Sequence, residues 1–410
     1  MSAIPGPRAP RPRLGIVGGG QLARMTAESA DALGVDVAVL AQPGDDATRG
    51  QVTDRTVVER LGPAVLQAFA RCCDVVTFDH EKVRPGDVAA LERAGHVVRP
   101  GLVAFTMAAD KSVQRRRLDA LGLPVPEFLV TDDAGAARRF AEAHGGRAVV
   151  KAARGGYDGR GVVRADRPSA AAAAAATMLR RRGTEVVVEP WLAIERELAV
   201  LVARRPGGQL VTYPVVETRQ DETAICREVV APAAIDARTA EDARRLAADV
   251  AAAVDAVGIL AVELFVVDGT VVVNELAARP HNTGHLTIEA CATSQFANHV
   301  RGVLDLPLGP TDLVVPAAAM ANVIARGTTD PAAVDVERLV GPGGDPVVVH
   351  GYGKQARPGR KIGHVTALAT DRDAARRRAV AVARGIEAAT RPPAPAPAPG
   401  PAPTPAALAS

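Results

Sequence analysis

Aromatic side chains make up only 3% of this chain, and lysine is rarer still: of 49 Lys plus Arg residues, five are lysine. The aromatic shortage implies an aliphatic core and leaves too few flat rings to stack along nucleobases. A formal net charge of +3 over 410 residues gives no polyanion footprint, and the arginines are spread along the chain rather than gathered in one arm. The arginine runs at 115–117, 180–182 and 376–378 fall in helix-like segments and read as solvated faces. The four cysteines, Cys72, Cys73, Cys226 and Cys291, lack metal-ligand spacing, and an adjacent pair is a poor disulfide candidate, so a reducing compartment fits. No apolar run is long enough to span a bilayer, and the first twelve residues lack the apolar stretch of a signal peptide. The expectation is a cytoplasmic globular protein with neither nucleic acid nor membrane as partner.

Lysine scarcity makes each lysine informative, because an ammonium is a compact point charge and guanidinium a planar fork. Lys111, Lys151, Lys354 and Lys361 lie in the most patterned stretches, whereas Lys82 reads as an ordinary surface residue. Residues 1–12 and 388–410 are low-complexity, the latter a Pro-Ala tail that cannot bury a core. Between them, apolar runs at 14–18, 35–40, 74–78 and 96–99 alternate with helical patterns and imply a parallel sheet. Further on, the pattern predicts helices over 110–121, 169–182 (with Ser169 as N-cap), 240–257 and 287–304. Strands are expected at 147–151, 185–189, 198–202 and 209–215, and a hairpin at 259–275 around Asp268-Gly269. Residues 312–386 mix short strands with one final helix.

Gly18-Gly19-Gly20-Gln21-Leu22-Ala23 follows the first strand and satisfies G-x-G-x-x-A, a turn that offers backbone amides to an anion. A dinucleotide site would want an acid at the end of the second strand. That strand ends Val39-Leu40-Ala41-Gln42, which disfavours NAD and leaves a phosphate or ribose-phosphate site, or a purely structural turn. The stretch Lys151-Ala-Ala-Arg-Gly155-Gly156-Tyr157-Asp158-Gly159-Arg160-Gly161 places a lysine at a strand end before a glycine-rich loop that can approach phosphate oxygens. No Walker signature is present.

Glu263 and Glu275 should face each other across the hairpin, where like charges repel unless a hard cation sits between them. Oxygen donors without a His or Cys cluster favour Mg²⁺, with Mn²⁺ also acceptable, and Asn274 adds a third oxygen. Glu189-Pro190-Trp191-Leu192 with Glu197 is a strand broken at proline, a weaker pattern that suits base-edge and ribose contacts or surface acids alike. Arg279-Pro280-His281-Asn282-Thr283 follows the hairpin and could hold an anion or move a proton. Lys354, Arg357, Arg360 and Lys361 form a compact basic segment held by glycine and proline turns.

In this order, the stretches GGGQLARM, KAARGGYDGRG, NELAARPHNTGH and YGKQARPGRKIGH resemble the ATP-grasp superfamily. Within it they resemble the N5-carboxyaminoimidazole ribonucleotide synthase family, over about residues 13–386. The resemblance implies an α/β protein with an ATP-grasp fold: an N-terminal parallel-sheet, Rossmann-like domain on the substrate side (13–105), a central ATP-grasp domain (106–310) and a small closing domain (311–387). It implies ATP, bicarbonate and 5-aminoimidazole ribonucleotide as substrates, carboxyphosphate as the intermediate, and a homodimer. Lys111, Lys151, Gly156, Gly159, Gly161, Glu189, Trp191, Leu192, Glu197, Asn274 and Glu275 match nucleotide contacts, and Glu263 and Glu275 match metal ligands. Tyr157, Asp158 and Arg160 match the closing loop, with Arg279, His281 and Lys354 beside them in catalysis. Gly20, Gln21, Leu22, Glu81, Asn282, Lys354 and Arg360 match the ribonucleotide side. Thr283 stands where the family usually has Ser, and Thr218 and Gln220 stand where it often has Asn and His. A ligase adding formate or an amino acid would share the ATP half of this pattern, and a non-catalytic nucleotide sensor would be free to lose Lys151, Glu263 and Glu275.

Overall fold

A computed structural model describes residues 11–52, 54–155, 161–182, 185–329, 336–340 and 346–391. The 17 strands of the described residues form three sheets in chain order. The first holds β1 (Arg13–Val17), β2 (Asp36–Ala41), β3 (Asp54–Val57) and β4 (Val75–Phe78), all parallel in the order β3-β2-β1-β4. β1, β2 and β4 are mostly buried apolar runs, as a parallel sheet covered on both faces requires. The run at 96–99 is not a strand; it touches β4 at one bridge, Val76 to Val98. The four-residue edge strand β3, Asp54-Arg55-Thr56-Val57, carries no apolar signal in sequence because none of its residues is buried and its polarity does not alternate cleanly.

The second sheet is antiparallel, in the order β5-β8-β6-β7: β5 (Leu129–Thr131), β6 (Ala148–Ala152), β7 (Val162–Ala165) and β8 (Val186–Pro190). Helices Ala134–Ala143 and Pro168–Arg182 cover one face, with Ala137, Ala141, Ala171 and Ala175 buried against Val150 and Val188. Pro168 opens the second of these, a position where its missing N–H costs nothing. Ser169 therefore lies inside the helix, and the Arg167 carbonyl accepts from the Ala170 and Ala171 amides.

The third sheet runs β14-β13-β9-β11-β12-β15-β17-β16, with β10 on the flank of β9. Its strands are β9 (Arg196–Arg204), β10 (Leu210–Thr212), β11 (Val216–Gln220), β12 (Cys226–Ala231), β13 (Gly258–Val267), β14 (Thr270–Ala277), β15 (Ala317–Ile324), β16 (Val347–Gly351) and β17 (Lys361–Ala369). The expected strand at 209–215 stops at Thr212, before Pro214 removes a ladder donor. Helix Ala237–Ala253 presents Ala243, Leu246, Ala247 and Val250 at three- and four-residue spacing to β9 and β13, forming the largest core cluster. The C-terminal strands add to this same sheet: β15 pairs with β12 from Glu228–Ala321 to Ala231–Ala318, so the small final segment shares its hydrogen-bond ladder with the centre. The helix expected over 287–304 is two, Thr287–Ala290 and Gln295–Val303. The chain leaves the first because Cys291 bridges Leu313 and the Ala292 amide bonds the Asp312 carbonyl, and Ser294 then caps the second.

Candidate active site

The β13–β14 hairpin turns at Asp268 and Gly269, whose φ angles of 48° and 69° are the two positive values a tight two-residue turn needs. From that turn the register sets Glu263 opposite Glu275, with an irregularity between Glu263 and Leu264. Leu264 pairs with Val273, so Asn274 is the extra residue of a β-bulge, a device that re-aims side chains. Glu263, Asn274 and Glu275 all line one cavity of about 700 Å³. Burial, reinforced by Glu275, pushes the Glu263 carboxyl up to about 7. Burial acts the same way on Glu275, but Lys111 pairs with it and holds it below its ordinary value. Asn274 Nδ2 lies 3.4 Å from Glu263, and His281 Nε2 lies 3.6 Å from the same carboxylate.

Lys111 reaches Glu275 because Asp110 caps helix Lys111–Ala120, accepting from the Ser112 and Val113 amides, while the Lys111 amide bonds the Ala153 carbonyl at the end of β6. Such a cap is worth about 1 kcal/mol. Lys151, at the end of β6, donates to Glu189 at 2.7 Å and to the Asn274 side chain at 3.0 Å. Glu189 sits at the end of β8 and is also held by Arg115 at 2.6 Å. Burial would raise the Glu189 carboxyl, yet Lys151 and Arg115 outweigh it and bring it to about 2. Burial, with the Arg115 and Lys111 cations nearby, holds the Lys151 ammonium below its ordinary value against the pull of Glu189. Trp191, Leu192 and Glu197 line the same cavity. Trp191 is 38% exposed, with the Arg147 guanidinium 5.1 Å from its ring centre, and burial raises the Glu197 carboxyl.

Gln21, Leu22, Glu81, Arg279, His281 and Asn282 line the same cavity. Arg279 pairs with Glu81 at 2.8 Å, tying the loop after β14 to the loop after β4. Asn282 exchanges both amide hydrogen bonds with Asn322 of β15, at 2.9 and 2.7 Å. Lys354 lies behind this wall: it donates to Gln21 and sits 5.5 Å from the Tyr352 ring centre. Gly20, Lys354 and Arg360 are not among the lining residues, and Arg360 donates to the Gln355 carbonyl at 3.2 Å.

The glycine turn is filled from within the chain. The Gly20 amide donates to Asp79 at 2.7 Å and the Gly19 amide to Asp45 at 3.2 Å. Gly18 has φ +109°, and a Cβ there would lie 1.7 Å from Asp79 Oδ1. Burial raises the Asp79 carboxyl, whose second oxygen has no hydrogen-bond partner among the described residues.

The structure departs from the sequence expectation at one arginine. Arg115 is 1% exposed and belongs to the site's foundations, not to a solvated face; its place one helical turn after Lys111 was the available signal. Lys82 is exposed but lines the cavity beside Asp79, His80 and Glu81. Gln220 also lines it, with its Oε1 unpartnered among the described residues. Gly156, Tyr157, Asp158, Gly159 and Arg160 lie outside the described residues; Gly161 lies inside them, with φ +84°.

Residues 12–109 match the ribonucleotide synthetase preATP-grasp domain, residues 116–296 the ATP-grasp domain, and residues 318–378 the phosphoribosylaminoimidazole carboxylase C-terminal domain. The N5-carboxyaminoimidazole ribonucleotide synthase of Mycobacterium tuberculosis is 44% identical over 383 residues, covering 90% of this chain and 88% of that one. The chain belongs to the N5-carboxyaminoimidazole ribonucleotide synthase family. The synthase of Corynebacterium ammoniagenes is 40% identical, covering 89% of this chain and 90% of that one. The crystal structure of the Aspergillus clavatus synthase in complex with ADP and 5-aminoimidazole ribonucleotide superposes with a TM-score of 0.82 at 29% identity, over 92% of this chain and 99% of that one. Against the family pattern, Thr283 keeps its hydroxyl useful: it is buried and lies 3.0 Å from His281 Nδ1.

Proposed function

We propose that this synthase-family chain is an ATP-dependent carbon–nitrogen ligase that carboxylates the exocyclic amine of 5-aminoimidazole ribonucleotide with bicarbonate, releasing N5-carboxyaminoimidazole ribonucleotide, ADP and phosphate in purine biosynthesis. The observation that carries it is the meeting, in one cavity, of the facing pair Glu263 and Glu275 with Lys111 and Lys151. A bicarbonate oxygen attacks the γ-phosphorus of ATP, the bond to the ADP oxygen breaks, and carboxyphosphate forms. The amine of the ribonucleotide then takes the carboxyl carbon, directly or as CO₂, phosphate leaves, and the amine loses a proton.

Phosphoryl transfer asks for positioning and charge neutralisation more than covalent help. Lys111 and Lys151 supply cations for the phosphates. Glu189, Trp191, Leu192 and Glu197 frame the adenosine end; by resemblance, Gly156, Gly159 and Gly161 contact the nucleotide and Tyr157, Asp158 and Arg160 act in catalysis. The carboxyl of Glu263, raised by burial and by its neighbour, marks a pair that a hard cation would relieve. Glu263 and Glu275, with Asn274 beside them, would hold Mg²⁺ or Mn²⁺, which neutralises phosphate charge when bound. Arg279 and His281 face the carboxyphosphate. Gln21, Leu22, Glu81 and Asn282 receive the ribonucleotide, with Lys354 held against Gln21; Gly20 and Arg360 are assigned to the same substrate by resemblance. A homodimer in the cytoplasm is the expected working state. Incubation with ATP, the ribonucleotide and ¹³C-bicarbonate, followed by mass spectrometry, tests the reading: the label should appear on the product, and an unlabelled or unchanged ribonucleotide contradicts it.

A further inference from the structure

We propose that Arg115 is a positioning residue for the nucleotide, a buried fork that fixes the two walls of the phosphate end. The inference rests on ATP being the nucleotide bound in this cavity.

Arg115 follows Lys111 by four residues, so the two share a face of helix Lys111–Ala120. Lys111 lines the cavity, whereas Arg115 does not and is 1% exposed. Its guanidinium joins separate sheets. Nε lies 2.7 Å and Nη2 2.6 Å from Glu189 Oε1 at the end of β8. Nη2 also donates to the Asn274 carbonyl of β14 at 2.8 Å, and Nη1 donates to Gln114 at 3.1 Å. The second Glu189 oxygen takes Lys151 of β6, which in turn bonds the Asn274 side chain. Arg115, Glu189, Lys151 and Asn274 thus close a ring of hydrogen bonds through the ends of β6, β8 and β14.

Two features separate this ring from a structural cross-link. First, it reaches the cavity. Arg115, Lys151 and Glu189 are 1%, 8% and 2% exposed, yet Lys151, Glu189 and Asn274 of the ring all line the cavity. A cross-link would need Arg115 and Glu189 alone. Second, Arg115 grips the carbonyl of the bulge residue that stands between the Glu263 and Glu275 registers. Releasing it frees the bulge that aims Asn274 and Glu275 into the cavity. A lysine keeps the charge but cannot serve the Glu189 carboxylate and the Asn274 carbonyl with one planar fork.

The test compares wild type, Arg115→Met and Arg115→Lys as full-length proteins. ADP binding is read from the fluorescence of Trp191, the single tryptophan, which lines the cavity. KM is measured for each substrate, and folding by circular dichroism melting. Arg115→Met should weaken ADP binding and raise the KM for ATP by about tenfold or more, as expected for a lost charged contact. The KM for the ribonucleotide should change less than about twofold. Arg115→Lys should recover part of the ATP affinity, leaving a rise of roughly threefold. A folded Arg115→Met with unchanged ATP and ADP affinity overturns the proposal, as does an equal rise in both KM values. If Arg115→Met does not fold, Arg115→Lys decides: an unchanged KM for ATP overturns the proposal, and a selective rise upholds it. Wild type that binds no ADP would refute the nucleotide reading itself, and this inference with it.

Discussion

Two regions of this chain stand out in sequence as ligand sites, the Gly18–Gly20 turn and the strand positions that carry Lys151, Glu189, Asn274 and Glu275. The structure treats them in opposite ways. At the turn, the chain supplies its own anions: Asp79 and Asp45 take the Gly20 and Gly19 amides. At the strand ends, charges are gathered but not balanced: Glu263 is raised by burial and its neighbour, and two cations share Glu189. The lesson is electrostatic. A glycine-rich turn has a capacity for anions that a neighbouring side chain can use up, whereas facing like charges on a hairpin keep a demand for a cation that Lys111 meets at Glu275 only and leaves open at Glu263. Substitutions at the turn should therefore act mainly on stability, and those at the strand ends mainly on turnover.

The largest expected effect tests the second half of that contrast. Glu275→Gln should lower turnover by roughly 100-fold or more, the scale of losing a group that stabilises developing charge, while the melting temperature stays near that of wild type. Near-normal turnover at saturating Mg²⁺ would remove the metal assignment. Gly18→Ala should do the reverse. Its φ of +109° and the close approach of Asp79 leave no room for a methyl, so stability should fall by about 1–3 kcal/mol in denaturant titrations. The folded fraction should bind ADP as wild type does; weakened ADP binding by folded protein would break the contrast.

Lys354→Arg lies between the two regions. It keeps a cation next to Gln21 but replaces a point charge with a fork, and the KM for the ribonucleotide should rise by about tenfold, roughly one hydrogen bond. An unchanged KM would show that the basic segment tolerates either cation. The smallest effect is the pH slope. Burial holds His299 at about 3, and His285 and His364 well below their ordinary value. Unfolding then takes up protons below pH 6.5, so stability should fall on acidification through that point and level off above it. Each histidine contributes at most about 1.4 kcal/mol per pH unit. His299 accepts from the Ile259 amide at 3.1 Å and lies 3.0 Å from Thr77; His299→Gln should flatten the slope, and an unaltered slope would place the titration elsewhere.

Much of the site was legible because it is written in local patterns. Asp268-Gly269 fixed the hairpin turn, and the turn fixed Glu263 against Glu275. Asp110 marked the start of the helix that carries Lys111. What stayed hidden depends on contacts distant in sequence. Arg115 looks like its neighbours Arg116 and Arg117 until Glu189, 74 residues on in β8, is brought to it. Asp79 gives no sign in sequence that it will occupy the Gly20 amide, which lies 59 residues away. The same holds for the fold: the parallel strands were visible as apolar runs, but the joining of β15 to β12 needed the tertiary register.

The most direct test of the whole account is ADP release by the purified chain with ATP and Mg²⁺, comparing reactions that contain both 5-aminoimidazole ribonucleotide and bicarbonate with reactions that omit each in turn. The account predicts rapid release with both and strong loss when either is withheld. Equal ADP release with neither substrate, or none with both, would contradict it.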